Sequence, residues 1–298
     1  MNAYNFFDKH DGDVVVILGF FDCLHLGHIA LVKKGAAVAE KLNAVPVVFT
    51  YSNDMNAVLG DKSGQVLTCG ERLKKLEKLG INAVITCNFD ENYALMSGDE
   101  FLNILFSDFS VKGIVCGYDY SFGNGAKSKV EDLRAFADKR GVPVFVESPV
   151  VYGGERVSTT LIKKYLSQKE IKKANVLLST PYFLTGKVVK GKQNGRKIGF
   201  PTANVALPSD KFRIGYGVYK TRVIAEGREY KAITNFGAQP TFSSDEVVVE
   251  CHIKDFDGDL YGKDITVIFD DYIRDIVKFY DIDELKKQLT KDMEALND

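Results

Sequence analysis

Val14-Val15-Val16-Ile17-Leu18-Gly19-Phe20-Phe21-Asp22-Cys23-Leu24-His25-Leu26-Gly27-His28 decides the architecture of the first half of this chain. Five consecutive apolar residues predict a strand buried on both faces, the habit of a parallel sheet covered by helices. The run stops at Gly19, and a helical pattern follows over 28–42. That order puts the turn at the carboxyl end of a strand, where open α/β sheets bind their ligands. Helix amides and the positive end of the helix dipole at His28 favour a phosphate there.

Working outward, apolar runs at Val14–Leu18, Val45–Phe49, Ala83–Cys87, Gly113–Cys116 and Val142–Val146 alternate with helical patterns at 28–42, 71–79, 98–107 and 130–140. The expected front domain is therefore α/β and doubly wound around a parallel sheet. Two short helices are predicted within 158–179. After Pro181 the rhythm changes to strand-like segments near 183–190, 217–225, 229–236, 246–254 and 264–270. Ala225-Glu226-Gly227-Arg228 reads as a hairpin turn. Leu285, Leu289, Met293 and Leu296 form one stripe of a terminal helix over 282–296. The expectation is two domains, 1–180 and 181–298, the second a small β-barrel closed by a C-terminal helix.

At 298 residues two domains is the natural division. The 39 Lys and Arg balance 40 Asp and Glu, leaving a net charge of -1, so no strong basic field supports nucleic-acid binding. Basic residues cluster locally at 187–197, which suits a small anion. The five cysteines, at 23, 69, 87, 116 and 251, form no CxxC pair and point to a reduced, cytoplasmic protein. The polar start MNAYNFFDKHDGD has no signal-peptide pattern, and no window approaches ~20 apolar residues, so no membrane span is expected.

His25 and His28 can both point into the space beyond the turn. Nucleotidyl transfer attacks with a phosphate oxygen that needs no general base, so the chemistry asks for donors on the phosphates. Two histidines at a helix start are otherwise incidental, or zinc ligands. A zinc site lacks a third ligand nearby, since the other histidines are only His10 and His252.

The full string Gly19-Phe20-Phe21-Asp22-x-x-His25-x-Gly27-His28 resembles the GxFDxxHxGH signature of the nucleotidyltransferases that make CoA, NAD, CDP-lipid precursors and FAD. The resemblance implies a Rossmann-like domain that binds ATP and releases pyrophosphate, with His25 and His28 on the phosphates and Asp22 shaping the turn. Gly117-Tyr118-Asp119-Tyr120-Ser121-Phe122-Gly123 resembles the GxDxxFG loop of one branch, the FAD-synthetase module of prokaryotic bifunctional riboflavin kinase/FAD synthetases. Asp119 and Phe122 are its implied flavin contacts. Arg156-Val157-Ser158-Thr159-Thr160 resembles the same family's R-[IV]-S-S-T segment, which implies Arg156, Ser158, Thr159 and Thr160 as further ATP contacts. From the residues alone, Ser158 to Thr160 fit a helix cap with or without an anion. The chain departs from the family at Cys23, where glycine is usual, at Lys163, where arginine is usual, and at Phe49-Thr50-Tyr51-Ser52-Asn53, where FEPHP is common.

In the second half, Gly186-Lys187-Val188-Val189-Lys190-Gly191-Lys192 nearly spells a phosphate-binding loop, but Gln193 replaces the required Ser or Thr and no helix follows. Asp255-Phe256-Asp257-Gly258-Asp259 has its glycine fourth, not sixth, and so fails as a calcium loop. Gly195-Arg196-Lys197-Ile198-Gly199-Phe200-Pro201-Thr202-Ala203-Asn204 is more informative, because Thr202 and Asn204 face one side if extended and their oxygens suit Mg2+ and phosphate. The string resembles the GxxxGFPTAN signature of riboflavin kinase. Gly217-Val218-Tyr219, Asn235 to Phe242, Glu250-Cys251-His252 and Ile273-Arg274 follow in family order.

That resemblance implies Gly195, Thr202 and Asn204 on Mg-ATP, with Thr202 and Asn204 at the metal. It makes Gly217, Tyr219, Asn235 and Arg274 flavin contacts and Glu250 the base for the ribityl hydroxyl. As a residue in a Val247-Val248-Val249 strand, Glu250 is otherwise an ordinary solvated glutamate. The expected function is phosphorylation of riboflavin to FMN and adenylylation of FMN to FAD, with ATP as co-substrate and Mg2+ as metal. The alternatives are a kinase whose front domain is weak or inactive, and a flavin-binding regulator.

Overall fold

Residues 1–191, 199–238 and 247–296 are described in the computed structural model. The apolar runs and amphipathic patterns of the first half give β1 (Asn2–Asn5), β2 (His10–Leu18), α1 (Leu26–Lys41), β3 (Val45–Tyr51), α2 (Cys69–Lys78), β4 (Ala83–Cys87), α3 (Gly98–Asp108), β5 (Phe109–Gly117), α4 (Val130–Asp138) and β6 (Val144–Glu147). They form a parallel six-stranded sheet in the order β1-β4-β3-β2-β5-β6. Val14 to Leu18 are buried without interruption because β2 lies inside the sheet. One face packs Val14, Val16 and Leu18 with Phe49, Phe101, Leu105 and Leu133.

The doubly wound expectation holds, with three local differences. Helix α1 begins at Leu26 because His25, not a residue further on, caps it. The last strand starts at Val144 because Val142 donates its N–H back to Ala137 O, closing α4. Strand β1 was not expected: Asn2-Ala3-Tyr4-Asn5 is mostly exposed and carries no apolar run. It is held by parallel pairing to β4 and by Phe6, whose buried ring meets Phe49 and Phe101.

The chain divides into units Met1–Thr159 and Thr160–Asp298. Helices α5 (Thr159–Ser167) and α6 (Ile171–Leu177) thus fall almost wholly in the second unit, ahead of the expected boundary near 180. Asn175 bridges Tyr182 N and Phe269 O, both at 2.8 Å, and ties α6 to the strands that follow. These are β7 (Phe183–Val189), β8 (Ala203–Val205), β9 (Gly217–Ala225), β10 (Arg228–Ala238), β11 (Val247–Ile253) and β12 (Asp264–Arg274). They close an antiparallel barrel in the order β7-β8-β11-β10-β9-β12. Strands β9, β10 and β11 pair in succession and β12 returns beside β9, a Greek key.

Glu226 and Gly227, at φ 52° and 77°, make the tight β9–β10 turn whose twist suits a hairpin. Inside the barrel Tyr219, Phe236 and Tyr182 surround Phe269. Outside it, α7 (Ile282–Glu294) is capped by Asp281 and lays Met293 and Leu296 on Val218, Ile233 and Ile273.

Candidate active sites

Beyond the carboxyl ends of β2, β3 and β5 lies a cavity of about 260 Å³ lined by Gly19, Phe20, His28, Tyr51, Asp119 and Tyr120 among others. The turn that builds it is held on several sides. The buried Asp22 accepts Val66 N at 2.7 Å through its carboxylate and Leu67 N at 2.9 Å through its carbonyl. Thr50 donates its hydroxyl to Phe20 O at 2.8 Å. Arg72, 0% exposed, donates to Gln65 Oε1 and Tyr51 O and sits over the Phe20 ring.

His25 caps α1 by accepting His28 N at 3.1 Å on Nδ1. Its ring stacks on His28, centroids 3.7 Å apart and 6° from parallel. Burial pushes the His25 imidazole down to about 4, and it pushes His28 well below the ordinary value, aided by His25 and Arg72. Both rings are therefore neutral at pH 7. A neutral His25 whose Nδ1 accepts must carry its proton on Nε2, so it presents a donor rather than a cation.

Arg156, on a two-strand hairpin of residues 151–156, donates to the Tyr118 hydroxyl and stands 3.5 Å from the Asp119 carboxylate. Thr159 Oγ1 lies 3.3 Å from Cys23 Sγ, and Ser158 immediately precedes α5, with Thr160 in its first turn. Gly27 is in the first turn of α1. Phe122 is buried in the core against Phe101 and Tyr120.

In the second unit, register rather than sequence proximity makes the site. Asn204 pairs with Glu250, Glu250 with Asn235, Asn235 with Val218, and Val218 with Arg274. Directly paired residues share a face, so β8, β11 and β10 set Asn204, Glu250 and Asn235 side by side. Interior positions such as Phe236, Val249 and Cys251 alternate with them, which places this row on the outer wall. Asn204 is nonetheless only 9% exposed, because Gly191 crosses it so closely that a Cβ there would lie 2.3 Å from Asn204 Nδ2. Asn235 Oδ1 is buried with no hydrogen-bond partner among the described residues. Thr202 lines a cavity of about 320 Å³ with Pro201, Phe256, Asp259 and Tyr261.

Residues 178–298 match the family model for riboflavin kinase, and residues 7–161 match that for FAD synthetase. The bifunctional riboflavin kinase/FMN adenylyltransferase of Listeria monocytogenes is 31% identical over 286 residues, 95% of this chain and 91% of that one. The chain belongs to the bifunctional riboflavin kinase/FMN adenylyltransferase family. The Escherichia coli member is also 31% identical, over 93% of this chain and 90% of its own. A solved structure from Streptococcus pneumoniae, described as a macrolide-efflux protein, shares the whole fold, with TM-score 0.91, 31% identity and coverage of 100% and 99%. Among the described residues no helix is long and apolar enough to cross a membrane.

Set beside the family pattern, the sequence-named residues divide into groups. Gly19, Phe20, His28 and Asp119 line the front cavity, His25 stacks on His28 behind them, and Asn204, Glu250 and Asn235 gather at the barrel wall. Tyr219 is fully buried inside the barrel, its hydroxyl donated to Gly215 O, and Gly217 pairs with Phe236 at the start of β9. Arg274 is engaged by Asp292 of α7, 2.6 Å from Nη2. Gly195 lies outside the described residues.

The departures from the family pattern have structural work. Thr50 is the buried anchor of the Phe20 turn, and Asn53 exchanges two 2.8 Å hydrogen bonds with the Phe89 backbone. Tyr51 faces the cavity, its hydroxyl pushed up to about 12 by burial. Lys163 lies over the Phe212 ring. Arg72 was not anticipated from sequence. The third metal ligand judged missing beside His25 and His28 is present: Cys23 joins them, the three ligand atoms lying within 4.8 Å of one another.

Proposed function

We propose that the barrel unit transfers the γ-phosphoryl group of ATP to the ribityl 5′-hydroxyl of riboflavin, giving FMN and ADP. The front unit then joins the FMN phosphate to the α-phosphorus of a second ATP, giving FAD and pyrophosphate. The carrying observation is the row Asn204, Glu250, Asn235, assembled from three different strands. Glu250 is the base that takes the hydroxyl proton. Asn235, with an unanswered buried acceptor, orients the flavin tail.

Mg2+ fits Thr202 and Asn204, whose side chains offer neutral hard oxygens of the kind this ion takes alongside substrate phosphates. When bound it neutralises charge on the phosphates of ATP. The close approach of Gly191 keeps the Asn204 carboxamide in place.

In the front unit no base is needed. His25 donates from Nε2 to the phosphates as charge develops, α1 adds its N-terminal amides, and His28, Arg156, Ser158, Thr159 and Thr160 complete the anion site. Asp22 fixes the turn, Gly27 lets the helix start approach the phosphates, and Asp119 and Phe122 shape the flavin side. All five cysteines are thiols, which fits a reducing compartment, the cytoplasm.

Chromatographic separation of FMN and FAD tests the division of labour. Glu250→Gln lowers FMN formation by about 10²-fold or more and leaves FMN adenylylation intact. His28→Ala does the reverse. An unchanged kinase rate in Glu250→Gln would show a solvated strand glutamate and sink the assignment.

A further inference from the structure

We propose that Cys23, His25 and His28 form a binding site for a thiophilic divalent cation, Zn2+, whose occupancy excludes ATP from the front unit. The positively twisted backbone at Phe21 and Leu24, φ 58° and 45°, brings Cys23 to the side of the turn that carries the two imidazoles. A thiolate and two imidazoles are soft and borderline ligands, quite unlike the oxygen donors of the barrel site, and they select zinc over magnesium.

The ligand atoms lie within 4.8 Å of one another. Tetrahedral zinc with ordinary bond lengths asks for about 3.3–3.6 Å between ligand atoms, so rotations that unstack the two imidazoles and draw the ligand atoms in by about an ångström complete the site. A second observation points to a ligand. His28 Nδ1 is buried with no hydrogen-bond partner among the described residues, a polar atom that a ligand would answer. His25 Nδ1 accepts from His28 N, so Nε2 is the nitrogen of that ring left for a ligand.

Coordination through His25 Nε2 moves that ring's proton to Nδ1 and gives up the cap bond from His28 N. The Cys23 thiol releases one H⁺ to solvent as the sulfur–metal bond forms. The resulting thiolate offsets one charge of the cation beside Arg72. Three protein ligands leave a fourth position open, as in zinc sites that accept water or an anionic oxygen.

The regulatory half of the proposal rests on the assignment of His25 and His28 to the phosphates of ATP. Zinc engages the same nitrogens, so metal and nucleotide compete. Cys23 stands where the family usually has glycine, which makes the property one of this chain.

Co2+ added to the metal-free, full-length protein reports on binding without any catalysis. One equivalent should produce the near-ultraviolet thiolate-to-cobalt band and the visible bands of a tetrahedral ion, both displaced by Zn2+. Cys23→Gly should abolish the charge-transfer band and weaken Zn2+ by about 10²-fold or more, since loss of even an outer partner of a ligand costs 10–100-fold. His28→Ala, with its fold checked by circular dichroism, is the second variant and should lose the tetrahedral spectrum. In the activity arm, Zn2+ should raise the KM for ATP in FAD synthesis by the wild type and not by Cys23→Gly. Absence of the band at stoichiometric Co2+, or its survival in Cys23→Gly, overturns the site. A band without competition against ATP overturns only the assignment of the histidines to the nucleotide.

Discussion

Acid should destabilise the front unit through His25 by an amount that the burial of its ring sets. The imidazole falls from 6.5 in the unfolded chain to about 4 in the folded one, and the residue is 8% exposed. A depressed histidine pKa means the unfolded chain binds the proton more tightly. The stability of the neutral form is therefore complete above about pH 6.5 and is lost as the pH falls toward 4. Integrating proton uptake between pH 7 and pH 5 gives a loss of about 2 kcal/mol from this group alone, a factor of tens in the folding equilibrium.

His28 is depressed in the same direction and adds to the loss. His25→Asn isolates the contribution, because asparagine is a good N-cap that accepts the same amide but does not titrate in this range. Urea unfolding at the two pH values, read by hydrogen-exchange mass spectrometry on peptides of β2 and α1, compares the variant with the wild type. The variant should lose about 2 kcal/mol less between pH 7 and pH 5. Identical pH slopes would refute the argument and mean that His25 is charged or hydrated in the native protein.

A fragment of residues 160–298 should make FMN and melt at a higher temperature than one of residues 181–298, because Asn175 joins α6 to Tyr182 and Phe269. Equal melting temperatures would show α5 and α6 to be passengers. Thr50→Val leaves the Phe20 carbonyl without its 2.8 Å donor and should cost about 1–3 kcal/mol in urea unfolding, with a weaker grip on ATP. Asp292→Ala removes the partner of Arg274 at a position 2% exposed, and calorimetry should register a loss of about 3 kcal/mol as α7 loosens.

The β2 run and the string to His28 carried the front fold because local order alone sets strand, turn and helix. Strand β1 was invisible, since pairing with β4 and the burial of Phe6 are long-range facts that Asn2-Ala3-Tyr4-Asn5 does not advertise. Arg72 was hidden for a related reason. In a basic amphipathic stretch it reads like Lys74 and Lys75 beside it, and only the fold shows that Gln65 and Tyr51 wait for its guanidinium. Cys23 escaped because a left-handed residue on either side, Phe21 and Leu24, defeats any spacing rule for metal ligands. Glu250 was recognisable by resemblance, but its neighbours Asn204 and Asn235 stand 46 and 15 positions away and meet it only through register.

That barrel also limits where the chain tolerates change in length. An open sheet dissipates an extra residue at its margin, whereas in a closed one each strand's offset is tied to every other through the seam. A single insertion inside β11 would swing Glu250 inward and push a valine toward the substrate, because the side-chain period is two. The same insertion at the Glu226-Gly227 turn would lengthen a tip and leave the row in place. Natural length variation in this unit should thus collect at its turns, with the span from Val247 to Ile253 behaving as a gauge of fixed length.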